Sequence, residues 1–330
     1  MEKQPGMVSF VGAGPGDPEL LTLKGKRLIE EAALLLYAGS MIPPALLDLA
    51  SPRASVIDAA PLDLEECHSL MLQFARAGQP VVHLHTGDPA VYSALREQLA
   101  LLDRDGIPWQ VVPGITAASA AAAAAGCSFT VPGATQSLIM TRMPGRTPMP
   151  AGEQAAAFAR TGATLAFFLS TGKVADLMAE LQDAGGLAPD TPAAAVYRAS
   201  WPDEQVVRGM VADLARKVEE AGFRRQSLIL VGRALAASTT VSRLYDGSFS
   251  HGYRNSLPDE AFHGTCALYA ASPAGLAQAR TLAAALTQGD APAPVIFAAC
   301  PADDQQPAPQ PVADMATALA DALPRFDAHI

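Results

Sequence analysis

Val81-Val82-His83-Leu84-His85-Thr86-Gly87-Asp88-Pro89-Ala90-Val91-Tyr92 is an apolar run that stops abruptly at a polar turn containing glycine. It reads as a strand delivering its carboxyl end to a crevice, which is where open α/β sheets hold their ligands. Gly87 lets the backbone come close to a ligand, Asp88 offers a carboxylate to hydroxyl or amino donors, and Pro89 stiffens the exit. Two other stretches have the same form. Phe10-Val11-Gly12-Ala13-Gly14-Pro15-Gly16-Asp17-Pro18 and Val111-Val112-Pro113-Gly114-Ile115-Thr116-Ala117-Ala118-Ser119 each run from an apolar strand into a glycine-bearing turn. Three such ends in one half of the chain predict a single shared crevice.

Outward from these junctions, strands alternate with helices. Strands are predicted at Met7 to Val11, Leu34 to Tyr37, around His83 and at Val111-Val112, with helices at Thr22 to Glu31, Leu64 to Ala77, Tyr92 to Asp103 and Thr116 to Gly126. Asp17-Pro18-Glu19 is a helix start with Asp at N-cap and Pro at N1. The run Ala120 to Ala125 predicts a helix packed closely against its sheet, because alanine favours helix and occupies little space. After Pro132-Gly133 the pattern restarts, with strands at Ser137 to Arg142, Thr164 to Ser170, Ala193 to Tyr197 and Ser227 to Val231. Helices are predicted between them at Gly152 to Arg160, Lys173 to Asp183 and Val211 to Ala221.

The alternation implies crossovers and mostly parallel sheets, hence an α/β fold. One α/β domain is expected over 1–133 and a second over 134–240, with the cleft between them suited to a bulky substrate. Beyond 240, strands at Cys266 to Ala270 and Val295 to Phe297, a helix at Ala274 to Leu286, a proline-rich loop from Pro301 and a helix up to Leu323 suggest a short βαβ-like extension over 241–330.

Composition sets outer limits. A net charge of −10 argues against a general nucleic-acid binder, which would show a basic patch, yet leaves room for an anionic small molecule held by local arginines. Cys67, Cys127, Cys266 and Cys300 have no C-x-x-C spacing, so neither disulfides nor a metal site is expected. The amino terminus lacks the apolar run of a signal peptide and no segment reads as a membrane span, so a cytoplasmic location is expected. His83-x-His85 puts two imidazoles on one face of a strand, but no third ligand is close in sequence and no metal is assigned.

Gly12-x-Gly14-x-Gly16-Asp17 departs from the dinucleotide fingerprint, which needs glycine where Asp17 stands, and a carboxylate has the wrong sign for pyrophosphate. A nicotinamide oxidoreductase is disfavoured on this ground. There is no G-x-x-x-x-G-K-[ST] either. A nucleoside without phosphates fits better, and S-adenosylmethionine, whose sulfonium is positive, is one such ligand.

Several segments together resemble the tetrapyrrole methylases of corrinoid synthesis: Gly12 through Leu20, Tyr37-Ala38-Gly39-Ser40, Leu84 through Pro89, Val112-Pro113-Gly114, Gln136 through Arg142, Gly145-Arg146-Thr147-Pro148 and Ala199-Ser200-Trp201-Pro202-Asp203-Glu204. The resemblance covers about Met7 to Ala236. His-Thr-Gly-Asp-Pro, Gly-Arg-Thr-Pro and Ala-Ser-Trp-Pro-Asp-Glu are similar to the branch that methylates C11 of precorrin-4 or its cobalt form. Ile115-Thr116-Ala117 is closer to the C2/C7 branch, so methylation at another ring carbon (C2/C7, C17 or C20) stays open.

The resemblance implies a homodimer that moves a methyl group from S-adenosylmethionine to a tetrapyrrole ring carbon, leaving S-adenosylhomocysteine. It implies cofactor contacts from Pro15, Thr86, Gly87, Asp88, Val91, Thr116 and Ala117, and from Leu169 and Ala199 in the second domain. Asp17, His85, Tyr92, Arg142, Arg146 and Trp201 are expected on the substrate side, the arginines because guanidinium pairs bidentately with the acetate and propionate groups. No covalent nucleophile is expected, since the sulfonium is already activated and alignment supplies much of the rate. Ser272 through Arg280, with Phe326-Asp327-Ala328-His329-Ile330, bear a short resemblance to the opening of the cobalt-precorrin-5A hydrolases, and no activity is assigned to them.

Overall fold

The computed structural model describes residues 4–236, 266–270 and 295–299. The first half holds a five-stranded parallel sheet, β1 (Val8–Gly12), β2 (Leu34–Tyr37), β3 (Ser55–Asp58), β4 (Val81–His85) and β5 (Trp109–Val112), in the order β3-β2-β4-β1-β5. β4 and β1 lie side by side, with Phe10 opposite His83 and Gly12 opposite His85, so the two longest glycine junctions leave the sheet together.

Alternate residues on these strands serve opposite faces. Val11, Leu35, Val82 and Leu84 pack with Ile29 of α1 (Leu23–Glu31) and Leu46 of α2 (Pro44–Leu47). Val8, Phe10, Leu34, Leu36 and Val81 pack with Met71 and Ala75 of α3 (Leu64–Arg76) and Leu102 of α4 (Leu95–Arg104). Both faces are covered, which is why the strands read as continuous apolar runs. Thr22 caps α1 through a bond from Gly25 N (3.0 Å), and Asp63 and Glu66 form a reciprocal capping box on α3 (2.8 and 2.9 Å).

α4 starts later than its periodicity predicts. Tyr92 and Ala94 have φ of +56° and +50°, left-handed values that an L residue adopts at a cost, so the chain makes a strained bend before entering the helix. Tyr92 belongs to that bend.

The second half holds β6 (Leu138–Arg142), β7 (Thr164–Phe168), β8 (Pro192–Tyr197), β9 (Gln205–Met210) and β10 (Ser227–Val231), in the order β6-β7-β10-β8-β9. Only β6 and β7 are parallel; the other three pairings are antiparallel. This corrects the expectation of a mostly parallel sheet, and the cause is the unpredicted β9. It returns directly from β8 through 198–204, a connection too short for a helical crossover. Helices α6 (Ala155–Ala159), α7 (Val174–Asp183) and α8 (Leu214–Glu220) pack on one face of this sheet with Leu165, Phe167, Ala195 and Ile229.

Its other face is covered by the alanine-rich α5 (Ala117–Ala124), whose Ala118, Ala120 and Ala121 meet Ala166, Val196, Leu228 and Leu230. The helix thus lies on the second sheet rather than the one it leaves, and its small side chains let the two halves approach. Residues Met1–Thr240 form one compact unit and Val241–Ile330 another. In the latter, β11 (Cys266–Ala270) and β12 (Val295–Ala299) pair in parallel. The predicted helices at Ala274 to Leu286 and up to Leu323, the proline-rich loop and the hydrolase-like stretches lie outside the described residues.

Candidate active site

The three glycine junctions meet. Ala13 N donates to His85 O (2.8 Å), and Gly14 and Gly87 exchange backbone bonds of 3.2 and 2.8 Å, both in left-handed conformations. Asp88 joins the third loop to these, its Oδ2 accepting from Gly114 N (3.0 Å) while Oδ1 accepts from Ala90 N (2.7 Å). A Cβ at Gly12 would overlap the backbones of Gly114 and Gly87. The glycines therefore bring backbone against backbone, and the Asp88 carboxylate ties the third loop to the second through Oδ2 while Oδ1 braces its own turn. Thr116 closes the set as the N-cap of α5, its hydroxyl accepting from Ala118 N (3.4 Å).

The second half reaches the same place through 198–204. Trp201 Nε1 donates to Pro15 O (2.9 Å), and Asp17 N donates to Ser200 Oγ (3.0 Å). The Arg198 guanidinium lies 4.1 Å from the indole centroid and is paired with Asp203 at 2.7 Å, while Glu204 accepts from Ser200 N (2.6 Å). Arg198 and Ser200 have φ of +44° and +68°, with buried Ala199 between them. Trp201, expected as a pocket wall, is thus bound to the first loop. The Asp17 carboxylate caps the turn after β1, accepting from Glu19 N (2.8 Å).

Leu169, the other cofactor residue expected from this half, follows β7 with φ +52° and is 77% exposed. A large apolar side chain held out by a strained backbone is a marker of a working surface. Its neighbour Phe168 stacks obliquely on Tyr92 (centroids 5.4 Å apart), bringing that side of the second sheet against the β4 loop. Burial pushes the Tyr92 phenol above its ordinary range, with the Arg142 charge opposing and the Glu153 charge adding to the rise.

Behind the β4 junction lies a cavity of about 600 Å³, lined among others by Asp63, His83, His85, Val91, Tyr92 and Glu97. His83 Nδ1 is 2.8 Å from Gln98 Oε1, an acceptor, which places the proton on that nitrogen. The two imidazoles sit 4.6 Å apart, and buried His85 Nε2 has no hydrogen-bond partner among the described residues. Burial drives His83 down to about 4 and His85 to about 3, the latter further lowered by His83. Both rings are neutral at pH 7, present as hydrogen-bonding groups.

The two arginines differ. Arg142 is half-buried and donates to the carbonyls of Met143, Thr147 and Pro148, so much of its guanidinium organises its own loop. Arg146 is exposed with no partner among the described residues. Sequence reading did not single out Gly16, Phe168, Arg198 or Ser200 as site residues; only the strained positions and the Trp201 contacts identify them.

The loops at 12–18, 85–92 and 113–119 carry two carboxylates and no lysine or arginine. That chemistry fits a cationic nucleoside and opposes a polyphosphate. A model of the tetrapyrrole (corrin/porphyrin) methylases matches residues 7–215. The chain belongs to the tetrapyrrole methylases. As such it is 46% identical over 248 residues to a precorrin-4 C(11)-methyltransferase of Pseudomonas aeruginosa, a match covering 75% of this chain and 98% of that one. It is 42% identical over 250 residues to a cobalt-precorrin-4 C(11)-methyltransferase of Methanocaldococcus jannaschii, covering 76% and 96%.

Among solved structures of such methylases, the X-ray structure of a cobalt precorrin-4 methyltransferase superposes with a TM-score of 0.69 at 43% identity, covering 70% of this chain and 96% of that one. A uroporphyrin-III C-methyltransferase of Thermus thermophilus, complexed with S-adenosylhomocysteine, gives 0.58 at 33% identity, covering 70% and 93%.

Proposed function

We propose that this tetrapyrrole methylase transfers a methyl group from S-adenosylmethionine to C11 of precorrin-4 or cobalt-precorrin-4, forming the corresponding precorrin-5 in cobalamin biosynthesis. The 46% identity across 98% of a precorrin-4 C(11)-methyltransferase carries the reading. The stitched junctions support it. S-adenosylmethionine, when bound, supplies a methyl already activated on a sulfonium. Pro15, Thr86, Gly87, Asp88, Val91, Thr116, Ala117, Leu169 and Ala199 would hold it.

What the protein contributes is alignment in a rigid frame. Asp88 locks the second and third loops together, and the bonds to Ser200 and Trp201 fix the first. On the acceptor side, Tyr92 and the neutral His85 line the cavity, offering hydrogen bonds without a charge that would compete with the sulfonium. Arg146 is free to pair with a side-chain carboxylate of the tetrapyrrole, and Arg142 helps present that loop.

We further propose a cytoplasmic homodimer, supported by the family resemblance. Among the described residues no helix is long and apolar enough to cross a membrane. Sedimentation at twice the 34.2 kDa chain mass tests the assembly. Ile115-Thr116-Ala117, closer to the C2/C7 methylases, favours a second reading in which the methyl enters another ring carbon. Incubation with precorrin-4 or cobalt-precorrin-4 and a donor carrying a ¹³C methyl, followed by NMR, decides between them. Label at C11 is expected; label at C2, C7, C17 or C20 would replace the assignment.

A further inference from the structure

The segment between β8 and β9 spends its unusual features on one target. It holds two non-glycine residues in left-handed conformation, Arg198 and Ser200, which is costly for L side chains. In return it sends two hydrogen bonds across more than 180 positions of sequence, Trp201 Nε1 to Pro15 O and Asp17 N to Ser200 Oγ, to either side of Gly16. The indole lies so close to Gly16 that a Cβ there would collide with its Cδ1 and Nε1, although Gly16 itself has no left-handed φ that would demand glycine. The ring is held from its other surroundings as well: the Arg198 guanidinium stands 4.1 Å from its centroid and is itself tied to Asp203, while Glu204 braces Ser200 N. Each side chain of Ser200, Trp201, Asp203 and Glu204 is thereby given a task toward Pro15, Gly16 and Asp17.

We propose that residues 198–204 form a clasp that sets the position of the first glycine loop, with Trp201 and Ser200 acting as positioning residues for methyl transfer and Gly16 as the seat of the indole. The inference rests on the methyltransferase reading above. The clasp couples the second sheet to the donor-holding loops, so a disturbance in 198–204 is felt in donor alignment and not in the tetrapyrrole pocket.

The test is a double-mutant cycle on the full chain, reading S-adenosylhomocysteine Kd by calorimetry and thermal stability in parallel. Gly16→Ala and Trp201→Ala should each weaken binding about tenfold or more, and the double variant should bind no worse than Trp201→Ala alone, because removing the ring removes the collision. Trp201→Phe guards against simple misfolding. It keeps an aromatic ring under Arg198 while losing the N–H bond to Pro15 O and part of the ring area, and should lower kcat about three- to tenfold with tetrapyrrole KM within twofold.

Penalties that merely add in the double variant, or a Trp201→Phe enzyme that loses KM and keeps kcat, would overturn the clasp while leaving the methyltransferase intact. Failure of the unaltered chain to bind S-adenosylhomocysteine would instead overturn the parent reading and the clasp with it.

Discussion

At the scale of single residues, the site works through groups whose partners are already fixed. Asp88 accepts two backbone N–H bonds, and Asn has only one acceptor oxygen to replace them, so Asp88→Asn should destabilise by about 1–3 kcal/mol and weaken S-adenosylhomocysteine binding, read by thermal unfolding and calorimetry. Arg146 is the reverse case, exposed and without a partner among the described residues. Arg146→Ala should raise tetrapyrrole KM about tenfold with an unchanged Kd for S-adenosylhomocysteine; an unmoved KM would remove it from the substrate site. The histidines give a pH signature. Their folded values, about 4 and about 3, lie below the ordinary 6.5, so between pH 6.5 and about 4 the unfolded chain binds more protons and stability is lost as pH falls. His85→Gln should hold its Tm better than the unaltered chain below pH 6.5, and parallel profiles would show that His85 is not buried in its neutral form.

At the scale of elements, the decisive piece is α5. Its alanines are small because a second sheet, not solvent, lies against them: Ala118 and Ala121 are fully buried among Ala166, Val196 and Leu230. Ala121→Leu should cost about 1–3 kcal/mol by overpacking, measured by denaturant unfolding, whereas the same change on an exposed helix face would be near neutral. The composition of α5 foretold close packing, but not against which sheet, because small size is the same signal for either. The fully buried β1, β4 and β10, and the nearly buried β2, were legible as continuous apolar runs. β3 and β9 were not, since both are edge strands, partly exposed, with polar residues such as Asp58, Gln205 and Arg208 in line. Missing β9 is what made the second sheet look parallel.

At the scale of the whole molecule, the meeting of the three loops was legible because glycine at a strand end is a local signal, and three such signals sat in one half of the chain. The bonds that hold the crevice together were not legible: those of Ser200 and Trp201 join residues more than 180 positions apart, and left-handed φ at Tyr92, Leu169 and Arg198 leaves no mark in composition. The same scale separates the methylase from residues 241–330. The family match ends at residue 215, the relative from Pseudomonas aeruginosa is covered over 98% of its length by 248 residues, and Met1–Thr240 forms its own compact unit. The bonds described above for the three loops and the clasp all join residues of that unit. A chain ending at Thr240 should therefore fold, keep its Tm within about 3 °C, and bind S-adenosylhomocysteine with unchanged Kd. Methyl incorporation into precorrin-4 should proceed at the rate of the full chain. A loss of donor binding would mean that the glycine loops need support from residues 241–330, and a loss of turnover with donor binding intact would give those residues a part in handling the tetrapyrrole.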